Sequence, residues 1–296
     1  MPGDRGPDGL AVVDKPAGWT SHDVVAGARR LLGTRKVGHA GTLDPDATGV
    51  LLLGVGRVTR LLRFLSALPK TYEGEVVLGT ETTTLDAAGE VVAVHDMAGV
   101  GLEQVRSAAR RFVGDIEQVP PMVSAVQIGG RRLHALAREG IEVERAPRAV
   151  RVSRFEVGPA SVAGVHPVEV ECSSGTYVRT LAADLGRALG GGAHLRRLRR
   201  TAIGGFTLAE ARPLDRLDAG ALLSPLAAVS HLDRVEVDLD VEALVGHGLR
   251  LTRTGEAAVF DGDGPWAVVS AGEGRLLAVY EAAADRVRPM VVLPPD

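Results

Sequence analysis

The sequence predicts an α+β protein built on a mixed, mainly antiparallel sheet flanked by helices, followed by a small β-rich module. Three observations carry this expectation. Between residues 10 and 210, stretches of strand-like alternation are interleaved with stretches of helical apolar spacing. Two of the strand candidates, 72–78 and 91–94, flank a polar, turn-rich segment, as an antiparallel pair would. Beyond residue 230 the composition turns acidic, and short apolar runs alternate with glycine turns. With 296 residues and 45% hydrophobic content the chain can fill two cores, drawn here as 1–232 and 233–296.

The elements follow in order. An apolar strand from Leu10 to Val13 ends at Asp14-Lys15-Pro16, since proline cannot donate to a sheet ladder. Ser21 is placed to cap a helix carrying Val24, Val25, Ala28, Leu31 and Leu32 at helical spacing, with Gly33 as its stop. The polar loop RKVGHAGTLDPDATG feeds a strand from Val50 to Val55, and Val58, Leu61, Leu62, Leu65 and Leu68 mark a second helix. Tyr72, Gly74, Val76 and Leu78 alternate as a strand. Leu102, Val105, Ala109 and Phe112 give a third helix that Gly114 ends. Pro120-Pro121, Gly129-Gly130 and the piece HALAREG make 118–148 a projecting loop with one turn of helix. Strands resume at Val150 to Val157 and Pro167 to Cys172, then a helix from Tyr177 to Leu189 closes on three glycines. AHLRRLRRTAIGGFTL is extended chain, and DGDGPWAVVS and AGEGRLLAVYE are strands of the last module.

Composition excludes several classes of function. No apolar run approaches the roughly 18 residues of a membrane span; GVLLLGVG, the longest, is broken by glycine. MPGDRGPDGL has no apolar stretch of the secretory kind, so the expected compartment is the cytoplasm. The single cysteine, Cys172, supports neither an internal disulfide nor a CxxC zinc site. GVGRVT lacks the last glycine of a dinucleotide fingerprint, and the eight histidines show no HExxH spacing. DGDG at 261–264 is not followed by the terminal Glu of a calcium loop, Gly272 standing at that position. No metal and no cofactor is expected. The net charge of −3 conceals an asymmetry: residues 29–63 hold seven bases against two carboxylates, 179–200 six against one, and 210–296 only eight against fifteen. Such clustering suits one domain that meets an anion and a tail that stays solvated, and an ordinary arginine-rich surface stays open beside that reading.

Asp44 has the strongest chemical setting. Gly38, Gly41 and Gly49 permit sharp turns, and Pro45 holds the residue before it extended, so the carboxylate stands on a stiff loop at a strand mouth. Asp before Pro is also a common turn former, and this reading stays open beside that of a nucleophile or base.

RKVGHAGTLDPDATGVLLLGVGRVTRLL resembles the catalytic motif of the TruB family of tRNA pseudouridine synthases, and four further segments match in the family's order. These are AVVDKPAGWTSHDVV, KTYEGEVVLGTETTTLDAAGE, QVPPMVSAVQIGGRRLHALAREGIEVERAPR and CSSGTYVRTLAADLGRALGGGAHLRRLRRTAIGGF. The resemblance implies a pseudouridine synthase fold with a C-terminal module of PUA type, and isomerisation of uridine 55 in the T loop of tRNA without cofactor or metal. It implies that Asp44 acts at the ribose C1′, by direct attack or by a glycal route, that Arg179 pairs with it, and that Tyr72 stacks on the uracil and is a candidate base. Tyr177 and Leu198 match pocket positions. His39 matches the histidine that fills the space of the flipped nucleotide, and Asp86 and Lys15 fall among substrate-binding positions. Arg131, Arg132, Arg145, Arg148, Arg196, Arg197, Arg199 and Arg200 are the expected phosphate contacts. An Arg partner should lower the Asp44 pKa by about 1–3 units.

Two positions depart from the family pattern. Val123 replaces a frequent aromatic and His134 a usual tyrosine, both in the loop expected to close over tRNA. The expected partner is the tRNA T arm, bound by a monomer. The alternatives are a non-catalytic tRNA-binding or folding chaperone using the same basic cleft, and an RNA-guided synthase, for which this chain lacks the usual terminal extensions.

Overall fold

The computed structural model describes residues 6–124, 126–253 and 259–293; the side chain of His134 also lies outside what is described. The catalytic region begins with β1 (Gly9–Lys15), α1 (Ser21–Leu31), β2 (Val37–His39), β3 (Thr48–Val55), a 3-10 turn, α2 (Leu62–Ala67) and β4 (Lys70–Leu78). A hairpin of β5 (Thr80–Thr82) and β6 (Val91–Val94) precedes α3 (Leu102–Arg110) and β7 (Gly114–Gln118). The projecting loop holds β8 (Gln127–Ile128), β9 (Arg131–Arg132) and α4 (Leu133–Arg138). Then come β10 (Arg148–Val157), β11 (Val165–Cys172), α5 (Val178–Ala188), β12 (Ala193–Ile203), β13 (Phe206–Thr207) and β14 (Arg212–Pro213). The last module is β15 (Asp233–Val237), α6 (Leu239–Gly246), β16 (Leu251–Thr252), β17 (Trp266–Ser270), β18 (Leu276–Ala283) and β19 (Arg286–Val292).

The main sheet runs β14-β1-β3-β12-β4-β11-β10-β7, with β2 added to β3 and β13 to β12. Only β1 with β14 and β3 with β12 pair in parallel, so the expected mainly antiparallel α+β architecture is what the chain adopts. Each half has its own helical cover. Val105, Ala108 and Ala109 of α3 and Leu181, Ala182 and Leu185 of α5 pack on Tyr72, Val76, Val168 and Val170 of β4 and β11. On the other half, Val24, Val25 and Ala28 of α1 meet Ala11, Val13, Leu51 and Leu53 of β1 and β3.

The unbroken apolar run of β3 has a physical reason: both of its faces are buried. Leu51 and Leu53 face α1, while Val50 and Leu52 face Ala267, Val269, Leu276 and Val279 of the second sheet, ordered β15-β17-β18-β19-β16. That second sheet presents alternate residues to its own core, where Trp266, Val268, Leu277 and Tyr280 pack with Val241 and Val245 of α6.

Several details differ from the sequence reading. The first strand runs on through Lys15. Thr20, not Ser21, caps α1, because Asp23 stands three residues on and completes a capping box. β6 pairs with β5, not β4, across a bend at Gly79. Gly114 opens the strand β7, and α6 adds a helix to the β-rich module.

Candidate active site

The loop between β2 and β3 is pinned at nearly every backbone step by side chains from β1, α1 and β12. Ser21 Oγ of α1 accepts from Leu43 N at 2.9 Å and donates to Leu43 O at 3.3 Å. Lys15 Nζ, at the end of β1, donates to Pro45 O at 2.8 Å, and to Pro16 O and Trp19 O. Arg200 of β12 reaches across with Nη2 on Gly41 O at 3.2 Å, Nη1 on Thr42 O at 3.3 Å and Nε on Val50 O at 2.7 Å. Gly49, with φ +103°, lets β3 approach β12; a Cβ there would lie 2.1 Å from the Arg200 carbonyl oxygen. Asp44 therefore stands on rigid backbone, with its side chain 43% exposed.

Arg179 is the hub of the site. It sits in the first turn of α5 with a side chain only 5% exposed; its two Nη atoms make four hydrogen bonds and its Nε faces Asp44 as an ion pair. Nε meets Asp44 Oδ2 at 3.0 Å and Nη2 meets Asp44 Oδ1 at 3.4 Å, the two-point grip that a guanidinium gives a carboxylate. Nη1 donates to Thr84 O and to Asp86 Oδ2 at 3.3 Å, and the second Nη2 hydrogen goes to Val123 O at 3.0 Å. Thr84 in turn donates to Asp86 Oδ1, and the Asp86 carbonyl accepts from Thr82 Oγ1. Since the projecting loop is tied by the carbonyl of Val123, the unusual side chain at that position leaves this contact intact.

Two cavities meet at this pair. One, of about 270 Å³, is lined by Asp44, Lys70, Tyr72, Tyr177, Leu198 and Arg200; the other, of about 260 Å³, by Asp86, Val123 and Leu195, and both share Asp44, Arg179 and Leu198. Tyr72 is buried on β4 opposite Arg200 of β12. Tyr177 precedes α5, and its backbone is locked by Gln118, whose Oε1 accepts from Tyr177 N at 2.7 Å and whose Nε2 donates to Tyr177 O. A register shift in β12 between Arg196 and Leu198, with Arg197 at φ +58°, turns Leu198 into both cavities.

Burial sets the electrostatics. It pushes the Asp44 carboxyl above the ordinary carboxylate value; Arg179 pulls the other way, and Asp86 and Asp46 add to the rise. The expected net lowering by Arg179 is thus overturned by desolvation. Burial also raises the Tyr72 phenol, which makes it a neutral hydroxyl in the free protein and a poor base. His39, half-buried on β2, is lowered by burial and by the charges of His22 and Arg200. Its ring meets that of His22 edge-on at 5.4 Å, away from the two cavities.

The expected substrate contacts divide. Lys15 is buried and spends its three hydrogens on carbonyls, so it positions the loop and does not face a ligand. Arg200 is 1% exposed and holds carbonyls, so it is no surface phosphate contact. Arg196 and Arg197 pair with Glu75, Arg199 with Asp14, and Arg131 with Glu139. All four keep an exposed portion, Arg197 the most at 80%. Arg132 is exposed on β9, Arg148 is exposed at the start of β10, and Arg145 ties the loop through Pro120 O. The contact of Ser21 with Leu43, where the sequence suggested only a helix cap, and the parts played by Lys70, Thr84 and Gln118 were not foreseen in sequence. Among the described residues no His, Cys, Asp and Glu cluster could hold a metal ion, and no helix is long and apolar enough to cross a membrane.

Comparison with known proteins gives the family of the chain. The model of the TruB family pseudouridylate synthase N-terminal domain matches residues 29–178, and that of the tRNA pseudouridylate synthase B C-terminal domain matches 179–240. A tRNA pseudouridine synthase B of Rhodococcus jostii (strain RHA1) is 49% identical, covering 97% of this chain and 94% of its own. That of Arthrobacter sp. (strain FB24) is 44% identical over 97% of both. Among solved structures, a chain of a Cbf5–Nop10–Gar1 complex superposes with a TM-score of 0.74 at 27% identity, covering 97% of this chain and 85% of that one. A chain of an H/ACA RNP bound to a substrate RNA containing 2′-deoxyuridine gives 0.73 at 26% identity over the same shares. A family model spanning half of the sequence, and relatives near 50% identity along almost all of it, place the chain in the TruB family of pseudouridylate synthases.

Proposed function

We propose that this chain converts uridine 55 in the T loop of tRNA to pseudouridine, with Asp44 acting at C1′ of the flipped nucleotide. The observation that carries this reading is the two-point Asp44–Arg179 pair at the edge of a cavity walled by Tyr72, Tyr177 and Leu198. The reaction breaks the N1–C1′ bond, turns the uracil and rejoins it through C5; it is an isomerisation that consumes no cofactor. Tyr72 stacks on the base, a contact of about 1–3 kcal/mol that helps offset extrusion. Tyr177 and Leu198 exclude water, His39 takes the place of the flipped nucleotide, and Asp86 orients Arg179. Arg131, Arg132, Arg196, Arg197 and Arg199 meet phosphates, which position the T arm without reading its sequence. The loop 118–148 closes over the RNA, and the division between catalytic domain and PUA-like module falls at 232/233. The protein works as a cytoplasmic monomer.

Tritium release from uracil C5 of an unmodified tRNA transcript tests the proposal. The wild type releases label from the T-loop uridine, and Asp44→Asn binds tRNA with near-normal affinity but releases none. Turnover by Asp44→Asn overturns the role of Asp44. Absence of release from the wild type, with tight binding, overturns the enzymatic reading in favour of RNA binding alone.

A further inference from the structure

The base cavity holds more positive charge than the Asp44–Arg179 pair accounts for. Arg179 is matched by two carboxylates, Asp44 and Asp86. Arg200 is matched by none: its partners are the carbonyls of Val50, Thr42 and Gly41 and the Tyr72 hydroxyl, and among the described residues no ion pair involves it. Lys70, on the same cavity, is likewise held by carbonyls, those of Ser66 and Leu68. The two cations are neighbours, since a Cβ on Gly41 would lie 3.8 Å from Arg200 Nη1 and 3.9 Å from Lys70 Cε. Burial and the charge of Arg200 push Lys70 down to about 8.

A buried guanidinium without a counter-ion is costly to the fold. Loop anchoring uses three of its five N–H groups and the Tyr72 hydroxyl engages a further one, so the guanidinium lines the base cavity beside Tyr72 with more charge than the loop carbonyls require. A loop anchor alone needs no charge there. Charge is needed where charge develops during reaction, and glycosidic cleavage develops it on the base.

Resting on the uridine-isomerising reading above, we propose that Arg200 is a catalytic residue that stabilises the negative charge uracil acquires as the N1–C1′ bond breaks. In that step the bonding pair leaves with N1 and spreads onto O2 and O4. C1′ bonds to the Asp44 carboxylate, or the sugar loses its C2′ proton, which is later returned. The uracil anion then bonds to C1′ through C5 as the Asp44 carboxylate leaves C1′ or, on the glycal route, as the C2′ proton returns; C5 gives up its proton and N1 gains one, so atoms and charge close. A fixed cation facing the departing anion lowers this barrier without reorganising.

The test varies the leaving group. Fluorine at C5 withdraws electrons and makes the uracil anion more stable by itself. Single-turnover loss of the target nucleoside is measured in tRNA carrying uridine or 5-fluorouridine at the T-loop position. Arg200→Met is expected to slow uridine cleavage on the order of 100-fold, to slow 5-fluorouridine cleavage by a far smaller factor, and to leave tRNA affinity unchanged. A purely structural role slows both substrates by the same factor, and that result overturns the proposal. Should the Met variant fail to fold, Arg200→Gln, whose amide can still donate to the loop carbonyls, answers the same question. A wild type inert on uridine fails the earlier reading instead; a competent wild type with equal losses in the variant fails this one alone.

Discussion

At the scale of single residues, the triangle of Asp44, Arg179 and Asp86 decides when the Asp44 carboxyl is ionised. Burial raises the Asp44 pKa, Arg179 lowers it, and the charge of Asp86 raises it further. A reaction that needs the carboxylate has an acidic limb in kcat/KM at the pKa of Asp44 in the free enzyme, above the ordinary aspartate value. Asp86→Asn removes one negative charge and also releases the share of Arg179 that Asp86 holds. Both changes favour ionised Asp44, so the limb moves to lower pH, by about 1 unit if the substitution is worth about 1.4 kcal/mol. A pH profile whose limb moves upward contradicts this electrostatic account. Lys15 and Arg200 show what residue-level reading of a sequence misses: resemblance puts Lys15 among substrate-binding positions and Arg200 among phosphate contacts, but burial, which depends on strands far away in sequence, turns both inward.

At the scale of elements, the bulge in β12 links backbone strain to function. Arg197 holds φ +58°, a left-handed conformation unfavourable for an arginine, and this aims Leu198 at Asp44 while leaving the Arg197 side chain 80% exposed. Arg197→Gly relieves the strain and removes a cation from the proposed RNA track. The expected outcome is a stability equal to the wild type or higher by up to about 1 kcal/mol. The same variant binds tRNA more weakly, with a log–log salt dependence shallower by about one phosphate contact. Thermal melts and a binding titration against salt check both halves, and an unchanged salt slope removes Arg197 from the track. Elements with strong periodicity, such as α1, α5 and β4, were legible in sequence because their buried stripes are long. β7 was not: GDIEQ offers one apolar residue and lies at the edge of the sheet. The bulge and the Gln118 lock on Tyr177 were hidden as well, since one is a register shift and the other joins residues 59 apart.

At the scale of the whole molecule, the charge asymmetry read in sequence survives, but the acidic module is not a loosely tethered one. Ala267, Val269, Leu276, Val279 and Val291 of the second sheet form one apolar cluster with Leu10, Val50 and Leu52 of the first and with Leu61 and Leu65 of the helical segment after β3. Alternation in WAVVS shows two apolar faces, and sequence alone does not say that one of them belongs to another sheet. The shared cluster couples the stability of the site-bearing strand β3 to the C-terminal module, because Leu52 on β3 loses its cover if that module unfolds. Leu276→Ala, at a position 3% exposed, is expected to cost about 2–5 kcal/mol. The loss should appear as one cooperative transition moved to lower temperature, followed equally by the C-terminal Trp266 fluorescence and by loss of synthase activity. Two separated transitions, with activity outlasting the Trp266 signal, would show instead that the catalytic sheet holds its shape without the second core.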